Sequence, residues 1–314
     1  VPTFDGVLFF PVTPFTPAGE VDPAVLAEHV GAGLDAGAGA VFAACGTGEF
    51  HALEPAEYER VVRTAVEVTA GRVPVYAGAG GALPLARRFA GAARAAGADG
   101  LLLMPPYLVQ APPAGLVAYT RAVAESCDLP LIVYHRHTAR YDPRSAAQLA
   151  SIPGVVGLKD GVGDLGLMAD MVRAVRAETA GGPAAAGDEP FRFFNGLPTA
   201  EASVPAYRGI GVELYSSAVF CFAPEISLAY YKAVTGGDDA LVERLLAVFF
   251  RPLIALRDLV PGYAVSLVKA AVRQRGLDVG GVRPPLLDPT AEHLEELRGI
   301  TRAGLALSAG AVGR

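Results

Sequence analysis

The chain has 314 residues, 52% of them apolar and 18% charged, with a formal net charge of −6. That length can bury one large core, since α/β barrels run to about 250 residues as a single unit, and the low charge suits a parallel sheet covered on both faces. No basic block marks a nucleic-acid surface, and no apolar run approaches the roughly 18 residues of a membrane span; even AVFFRPLIAL is broken by Arg251.

The amino-terminal VPTFDGVLFF lacks the basic start and cleavage site of a secretory leader. Strand candidates then recur, each an apolar run of about five residues bounded by Gly or Pro and followed by an amphipathic stretch. They are VLFFPV (7–12), AVFAAC (40–45), VPVYAG (73–78), GLLLM (100–104), LPLIVY (129–134), GVVGLK (154–159), RFFNG (192–196) and GVELYSS (211–217). Between them lie helix candidates such as DPAVLAEHVGAGLDAG, with Asp22 as cap and Pro23 at the first helical position, and EPAEYERVVRTAVEVTAG, which stops at a glycine.

Eight βα units with right-handed crossovers predict an α/β fold, a (β/α)8 TIM barrel. The rival, an open doubly wound sheet, calls for a glycine-rich phosphate turn after the first strand, which VLFFPVTPF lacks. From about residue 236 three helix-like segments follow without a strand: LVERLLAVFFRPLIALRDL, YAVSLVKAAVRQRG and TAEHLEELRGITRAGLAL. The expected division is a barrel over residues 1–235 and a helical extension packed on it over 236–314. Cys45, Cys127 and Cys221 form no CxxC, so neither a disulfide framework nor a zinc site is indicated and a reducing cytoplasm is the expected compartment.

A barrel places its chemistry at the carboxyl ends of its strands. Those ends carry Thr13; Gly46, Thr47, Gly48 and Glu49; Tyr107; Tyr134 with Arg136; Lys159 with Asp160; Asn195; and Ser216 with Ser217. Lys159 stands out because the chain has 23 Arg and only three Lys, the others being Lys232 and Lys269 in helical segments. Arg cannot become a neutral amine near neutral pH, whereas a lysine seated in a low-polarity site can. Strand alternation turns Val155, Gly157 and Lys159 inward, with Gly157 leaving space beneath the amine, and sends Asp160 toward the helices. The alternative is an ordinary strand-end lysine reaching for water.

Tyr134 ends the preceding strand and is either a proton shuttle or a buried aromatic with a satisfied hydroxyl. In GTGE, Gly46 and Gly48 allow close backbone approach and Thr47 offers a hydroxyl, so the turn can hold a carboxylate, or it is a bare turn. Arg136 offers a two-pronged grip on a carboxylate if it faces inward. His135 and His137 share a strand face opposite Tyr134 with no carboxylate cluster to complete a site, so no metal is expected. Asp164 reads as the cap of the helix that follows Lys159.

GTGE after the second strand, Tyr134 after the fifth and Lys159 after the sixth resemble the class I Schiff-base family of dihydrodipicolinate synthase and N-acetylneuraminate lyase, over essentially the whole chain. The blocks FFPVTPF, ACGTGEF, GLKDGVGD, GLPTAE, ELYSSAVF and GYAVSLVKA are most similar to that family's 5-dehydro-4-deoxyglucarate dehydratase branch, although His135 replaces the branch's usual Asn and His51 its aromatic. The resemblance implies decarboxylating dehydration of a six-carbon keto diacid to 2,5-dioxopentanoate, with no cofactor. Lys159 would be the nucleophile and Tyr134 a proton relay. Thr47 with the Gly46 and Gly48 backbone would hold the keto-acid carboxylate, Asn195, Ser216, Ser217 and Arg136 would contact substrate, and Tyr107 would match a tyrosine that joins a proton relay at a subunit interface. The implied partners are a small sugar acid and further copies of the chain, as a tetramer or dimer of dimers. The alternatives are a sibling aldolase or synthase using the same lysine, and a non-catalytic keto-acid-binding barrel.

Overall fold

Each of the eight apolar runs carries a strand in the computed structural model, which describes residues 4–181 and 190–312. They are β1 (Val7–Phe9), β2 (Ala38–Ala43), β3 (Val75–Ala79), β4 (Gly100–Leu103), β5 (Leu131–His135), β6 (Val155–Asp160), β7 (Arg192–Asn195) and β8 (Leu214–Ser217). The strands follow one another in chain order around a closed barrel, the predicted fold. β1 meets β8 in parallel, Leu8 beside Ser216 and Phe9 beside Ser217. The amino-terminal segment read for a leader begins in residues outside the described ones.

The helices begin where local chemistry directs. Asp22 accepts from the N–H groups of Ala24 and Val25 at 3.0 and 3.1 Å, capping the helix Pro23–Asp35; a cap of this kind contributes about 1 kcal/mol. Glu54 and Glu57 form a reciprocal capping box on Pro55–Thr69, whose end turns left-handed at Ala70, one residue before the expected glycine. Asp164 accepts from the Leu167 N–H at 2.9 Å and so caps Leu165–Gly181.

The chain packs as two compact units. In that of Phe4 and Pro74–Tyr215, the Phe4 ring lies against Tyr76 and Phe194 with centroids 5.2 and 5.3 Å away. Gly100 makes room for Tyr76: a Cβ there would stand 2.2 Å from its ring. In the unit of Asp5–Val73 and Ser216 onward, Phe10 stacks on Phe42 at 4.4 Å, and Gly33 lies under Phe9, whose ring a Cβ would meet at 2.3 Å. Such contacts leave no slack in a core packed to crystal density.

Beyond β8 the described residues hold helices only: Pro224–Gly236, Asp239–Leu245, Arg251–Arg257, Tyr263–Gln274 and Ala291–Val312. The segment LVERLLAVFFRPLIALRDL is not one uniform helix. Leu246–Phe250 widens into a π-helical turn just before Pro252, whose ring lacks an N–H and crowds the preceding turn.

Candidate active site

The ladder between β5 and β6 sets Tyr134 directly beside Lys159 and His135 beside Asp160. Because side chains alternate, these pairs occupy opposite faces of the sheet. On the first face Lys159 Nζ lies 4.2 Å from the centre of the Tyr134 ring, and both residues are buried. The Tyr134 hydroxyl donates to the Gly196 carbonyl at 2.8 Å and accepts from Arg136 Nη1 at 2.7 Å. Arg136 therefore turns toward the lysine's side of the sheet, with its guanidinium carbon 5.4 Å from the same ring. Burial alone pushes the phenol's pKa up, but the Lys159 charge and then the Arg136 guanidinium outweigh it and hold Tyr134 below the ordinary tyrosine value.

Two glycines make room for this pair. A Cβ on Gly196 would stand 2.7 Å from Lys159 Cγ and 2.8 Å from the Asp160 carbonyl oxygen, and one on Gly161 would stand 2.8 Å from the Tyr134 ring. Gly157 serves a different purpose from the one expected. The space beside it is taken by the Arg192 carbonyl and the Phe194 ring, 2.8 and 2.9 Å from where its Cβ would be, so it admits the neighbouring strand.

The opposite face is a polar lock. Asp160 accepts from the Val162 N–H at 2.8 Å, from Gly163 N–H at 3.3 Å, and from the Tyr207 hydroxyl in a short bond. This matches the expectation that Asp160 turns toward the helices, since Tyr207 belongs to Val204–Gly209. His135 Nδ1 accepts from the Tyr141 N–H at 2.9 Å, and its Nε2 lies 4.0 Å from Asp160. Burial lowers the His135 pKa despite that carboxylate. His135, one departure from the branch pattern, thus stands on the sheet face away from Lys159, while His51, the other, is exposed.

Asn195 pairs in register with Asp160 and shares its face. Its amide donates to the Ala200 carbonyl at 3.2 Å and to Ser203 Oγ at 2.8 Å, and its oxygen accepts from the Leu197 N–H. The expectation of a substrate contact is corrected: alternation turns Asn195 outward, where it ties down the loop. Ser217 is likewise corrected. Fully buried, it bonds Ser227 Oγ at 2.8 Å and accepts from the Phe220 N–H. Its neighbour Ser216, on the other face, is half-buried.

In the other unit, the Gly46–Glu49 turn presents an exposed Gly46 and a half-buried Thr47. Thr13 Oγ1 donates to the Gly48 carbonyl at 2.7 Å, and a Cβ on Gly48 would crowd the Pro11 carbonyl at 3.2 Å. Glu49 has a left-handed backbone with φ 54 and a fully buried carboxylate. Lys269 Nζ donates to its Oε1 at 2.9 Å, and the Arg283 N–H to its Oε2 at 2.9 Å. Burial lowers the Lys269 pKa, with Glu49 opposing.

Of the two helical lysines, Lys232 is exposed, whereas Lys269 is completely buried. Its small ammonium also reaches the Gly281 carbonyl at 2.6 Å. A planar guanidinium would carry five donors into that closed space, which explains a lysine here in an arginine-rich chain. Sequence reasoning missed this pair, and the spacing of Lys269 and Glu49 gives no sign of it; the only clue was the rarity of lysine. Tyr107 is 42% exposed in a loop with Leu108 and Val109, which are also exposed. Among the described residues no group of three or more His, Cys, Asp or Glu gathers as metal ligands, and no helix is long and apolar enough to cross a membrane.

The profile of the Dihydrodipicolinate synthetase family matches residues 3–303. A protein of Streptomyces griseus subsp. griseus named "Probable 5-dehydro-4-deoxyglucarate dehydratase" is 58% identical over 97% of this chain and 93% of its own. One of Streptomyces coelicolor, named "Probable 5-dehydro-4-deoxyglucarate dehydratase 1", is 56% identical over 98% of this chain and 96% of its own. Among solved structures, dihydrodipicolinate synthase from Bacillus clausii superposes with a TM-score of 0.85 at 27% identity, covering 95% of this chain and 97% of that one.

Proposed function

Given that this chain belongs to the dihydrodipicolinate synthetase family, we propose that it is a decarboxylating dehydratase converting 5-dehydro-4-deoxy-D-glucarate to 2,5-dioxopentanoate, water and CO2. The observation that carries the reaction type is the buried Lys159 amine set against the Tyr134 ring, with Arg136 on the same phenol. The choice of substrate rests on the names and identities of the Streptomyces relatives.

The chemistry follows from an amine meeting a ketone. Lys159 Nζ adds to the keto carbon, and loss of that oxygen as water leaves an iminium, an electron sink that acidifies the neighbouring CH2. Removal of a proton there gives an enamine, which expels the hydroxyl on the next carbon as water. The product is a conjugated iminium. The electrons of the bond to the distal carboxylate then flow into this longer sink as CO2 leaves, giving a dienamine whose enol end becomes the aldehyde. Hydrolysis returns the lysine and consumes one water, so the net release is one water and one CO2. Addition, proton transfer, elimination and decarboxylation all proceed through the lysine adduct, whose iminium is the electron sink, and the reaction sequence calls for no organic cofactor or metal.

In this reading Tyr134 moves protons at the carbinolamine, with Arg136 lowering the cost of its anionic form. Thr47 and the Gly46 and Gly48 backbone receive the carboxylate beside the ketone, and Ser216 contacts the distal end. Arg136 still offers its remaining donors to a carboxylate. The exposed Tyr107, Leu108 and Val109 support assembly as a homo-oligomer, a tetramer or dimer of dimers, as the resemblance implies. The cytoplasm is the compartment proposed for such a catabolic enzyme.

Borohydride reduction with 5-dehydro-4-deoxyglucarate present, followed by peptide mass mapping and CO2 measurement, tests the reading. The expected adduct is on Lys159 with one CO2 per turnover. Pyruvate release without CO2 would point to a sibling aldolase, and an adduct on Lys232 or Lys269 would overturn the assignment.

A further inference from the structure

The Glu49–Lys269 ion pair is fully buried, and nothing in the proposed chemistry uses it. It stands at the end of the Gly46–Gly48 turn, and its parts come from four separate places in the chain. Phe15 lies beneath it, with Lys269 Nζ 4.1 Å from the ring centre. The Gly280–Arg283 segment closes over it: Gly281 accepts from Lys269, and Arg283 donates its N–H to Glu49. The Arg283 side chain is itself fastened. It stacks on Phe15 at 4.1 Å, reaches the Ala52 carbonyl at 2.6 Å, and makes a two-pronged bond to Glu57 at 2.7 and 2.5 Å.

Glu49 is held in a left-handed conformation that a residue with a side chain avoids unless its surroundings impose it. Both carboxylate oxygens are engaged, one by the ammonium and one by a backbone N–H. Glu49 adjoins Gly48, and its own N–H donates to the Gly46 carbonyl at 3.2 Å, so anchoring Glu49 anchors the turn. Thr13 fixes the same turn from the other side through the Gly48 carbonyl. Replacing such a pair by apolar groups often leaves stability little changed, so stability alone does not account for burying two charges here.

We propose that Lys269 is a positioning residue: its buried ion pair with Glu49 holds the Gly46–Gly48 turn in the shape that receives the 2-keto carboxylate. The inference rests on the proposed role of that turn and adds a device carried by the carboxy-terminal helices. It acts on ground-state binding. Lys269 does not touch substrate, and the reacting amine remains Lys159.

The test compares the full-length enzyme with the paired variant Lys269→Met/Glu49→Met, in which two flexible apolar side chains replace the two charges. Borohydride trapping of Lys159 is titrated with 2-oxoadipate, a six-carbon keto diacid, alongside steady-state kinetics and thermal denaturation. The variant should melt near wild type, need about tenfold more 2-oxoadipate for half-maximal trapping, and show KM raised similarly with kcat changed less than about threefold, the signature of lost uniform binding. A melting temperature near wild type together with a wild-type KM and trapping midpoint would overturn the proposal. Should the paired variant not fold, Phe15→Leu removes the ring that lies against both the Lys269 ammonium and the Arg283 guanidinium while keeping the ion pair; a midpoint raised about threefold supports the clamp, on the same reading of uniform binding, and an unchanged midpoint overturns it. If wild type itself is not trapped at Lys159, the Schiff-base reading fails first and takes this inference with it.

Discussion

Lys159 and Tyr134 are neighbours in the β5–β6 ladder, and the lysine's Nζ lies 4.2 Å from the centre of the tyrosine ring. The ring lies against the amine, and the hydroxyl beyond it is the group proposed to move protons. Tyr134→Phe separates the two, since it keeps the ring and removes the hydroxyl. Borohydride trapping at Lys159 should persist while turnover falls about a hundredfold or more, the scale of a lost general acid–base group. Turnover within a few-fold of wild type would remove Tyr134 from the proton relay.

Arg136 gives that relay a pH signature. Its charge and hydrogen bond help hold the Tyr134 pKa below the ordinary value, so Arg136→Gln lets the phenol's pKa rise. The limb of the kcat–pH profile that reports the phenol should move to higher pH. The direction is the same whether the reaction needs the acid or its conjugate base. A limb that stays in place would assign it to another group.

Gly196→Ala places a methyl 2.7 Å from Lys159 Cγ and 2.8 Å from the rigid Asp160 carbonyl oxygen. The expected cost is about 1–3 kcal/mol in stability, together with loss of trapping as the lysine stem is displaced. Gly91→Ala is the contrast. It lies in the helix Leu83–Ala96 with open space at its Cβ, and should stabilise by roughly 0.5–1 kcal/mol. Urea titration reads both changes.

His29 predicts an acid limb of stability. Burial lowers its pKa to about 4 from 6.5, and its Nε2 has no hydrogen-bond partner among the described residues. The unfolded chain therefore takes up this proton first as pH falls. The stability is fully present above about pH 6.5 and drains away as pH drops toward 4. The loss between pH 7 and pH 4 is on the order of 3 kcal/mol from this residue. His29→Leu should flatten that part of the profile; an unchanged slope would place the acid sensitivity elsewhere.

The barrel was legible because a buried parallel strand advertises itself as a short apolar run, and the regular return of such runs leaves few topologies open. Lys159 was legible because the chain otherwise prefers arginine and because alternation along GVVGLK gives its side. The same alternation, applied to Asn195 and Ser217, would have turned them outward, where they hold a loop and a turn. Alternation also left open what fills the space beside Gly157, because that is decided by the Phe194 ring on the next strand.

By itself, then, the sequence determined the order of strands and helices, the residues at the strand ends and the face each one takes, since these depend on periodicities of two to four residues. Only the tertiary structure decided which distant groups meet: Tyr134 with the Gly196 carbonyl, Asp160 with Tyr207, and Glu49 with Lys269. A buried hydrogen bond or ion pair is required by the cost of desolvating its polar groups. Which partner satisfies that requirement is set by how the closed barrel and its helices bring remote segments together, and no local pattern records it.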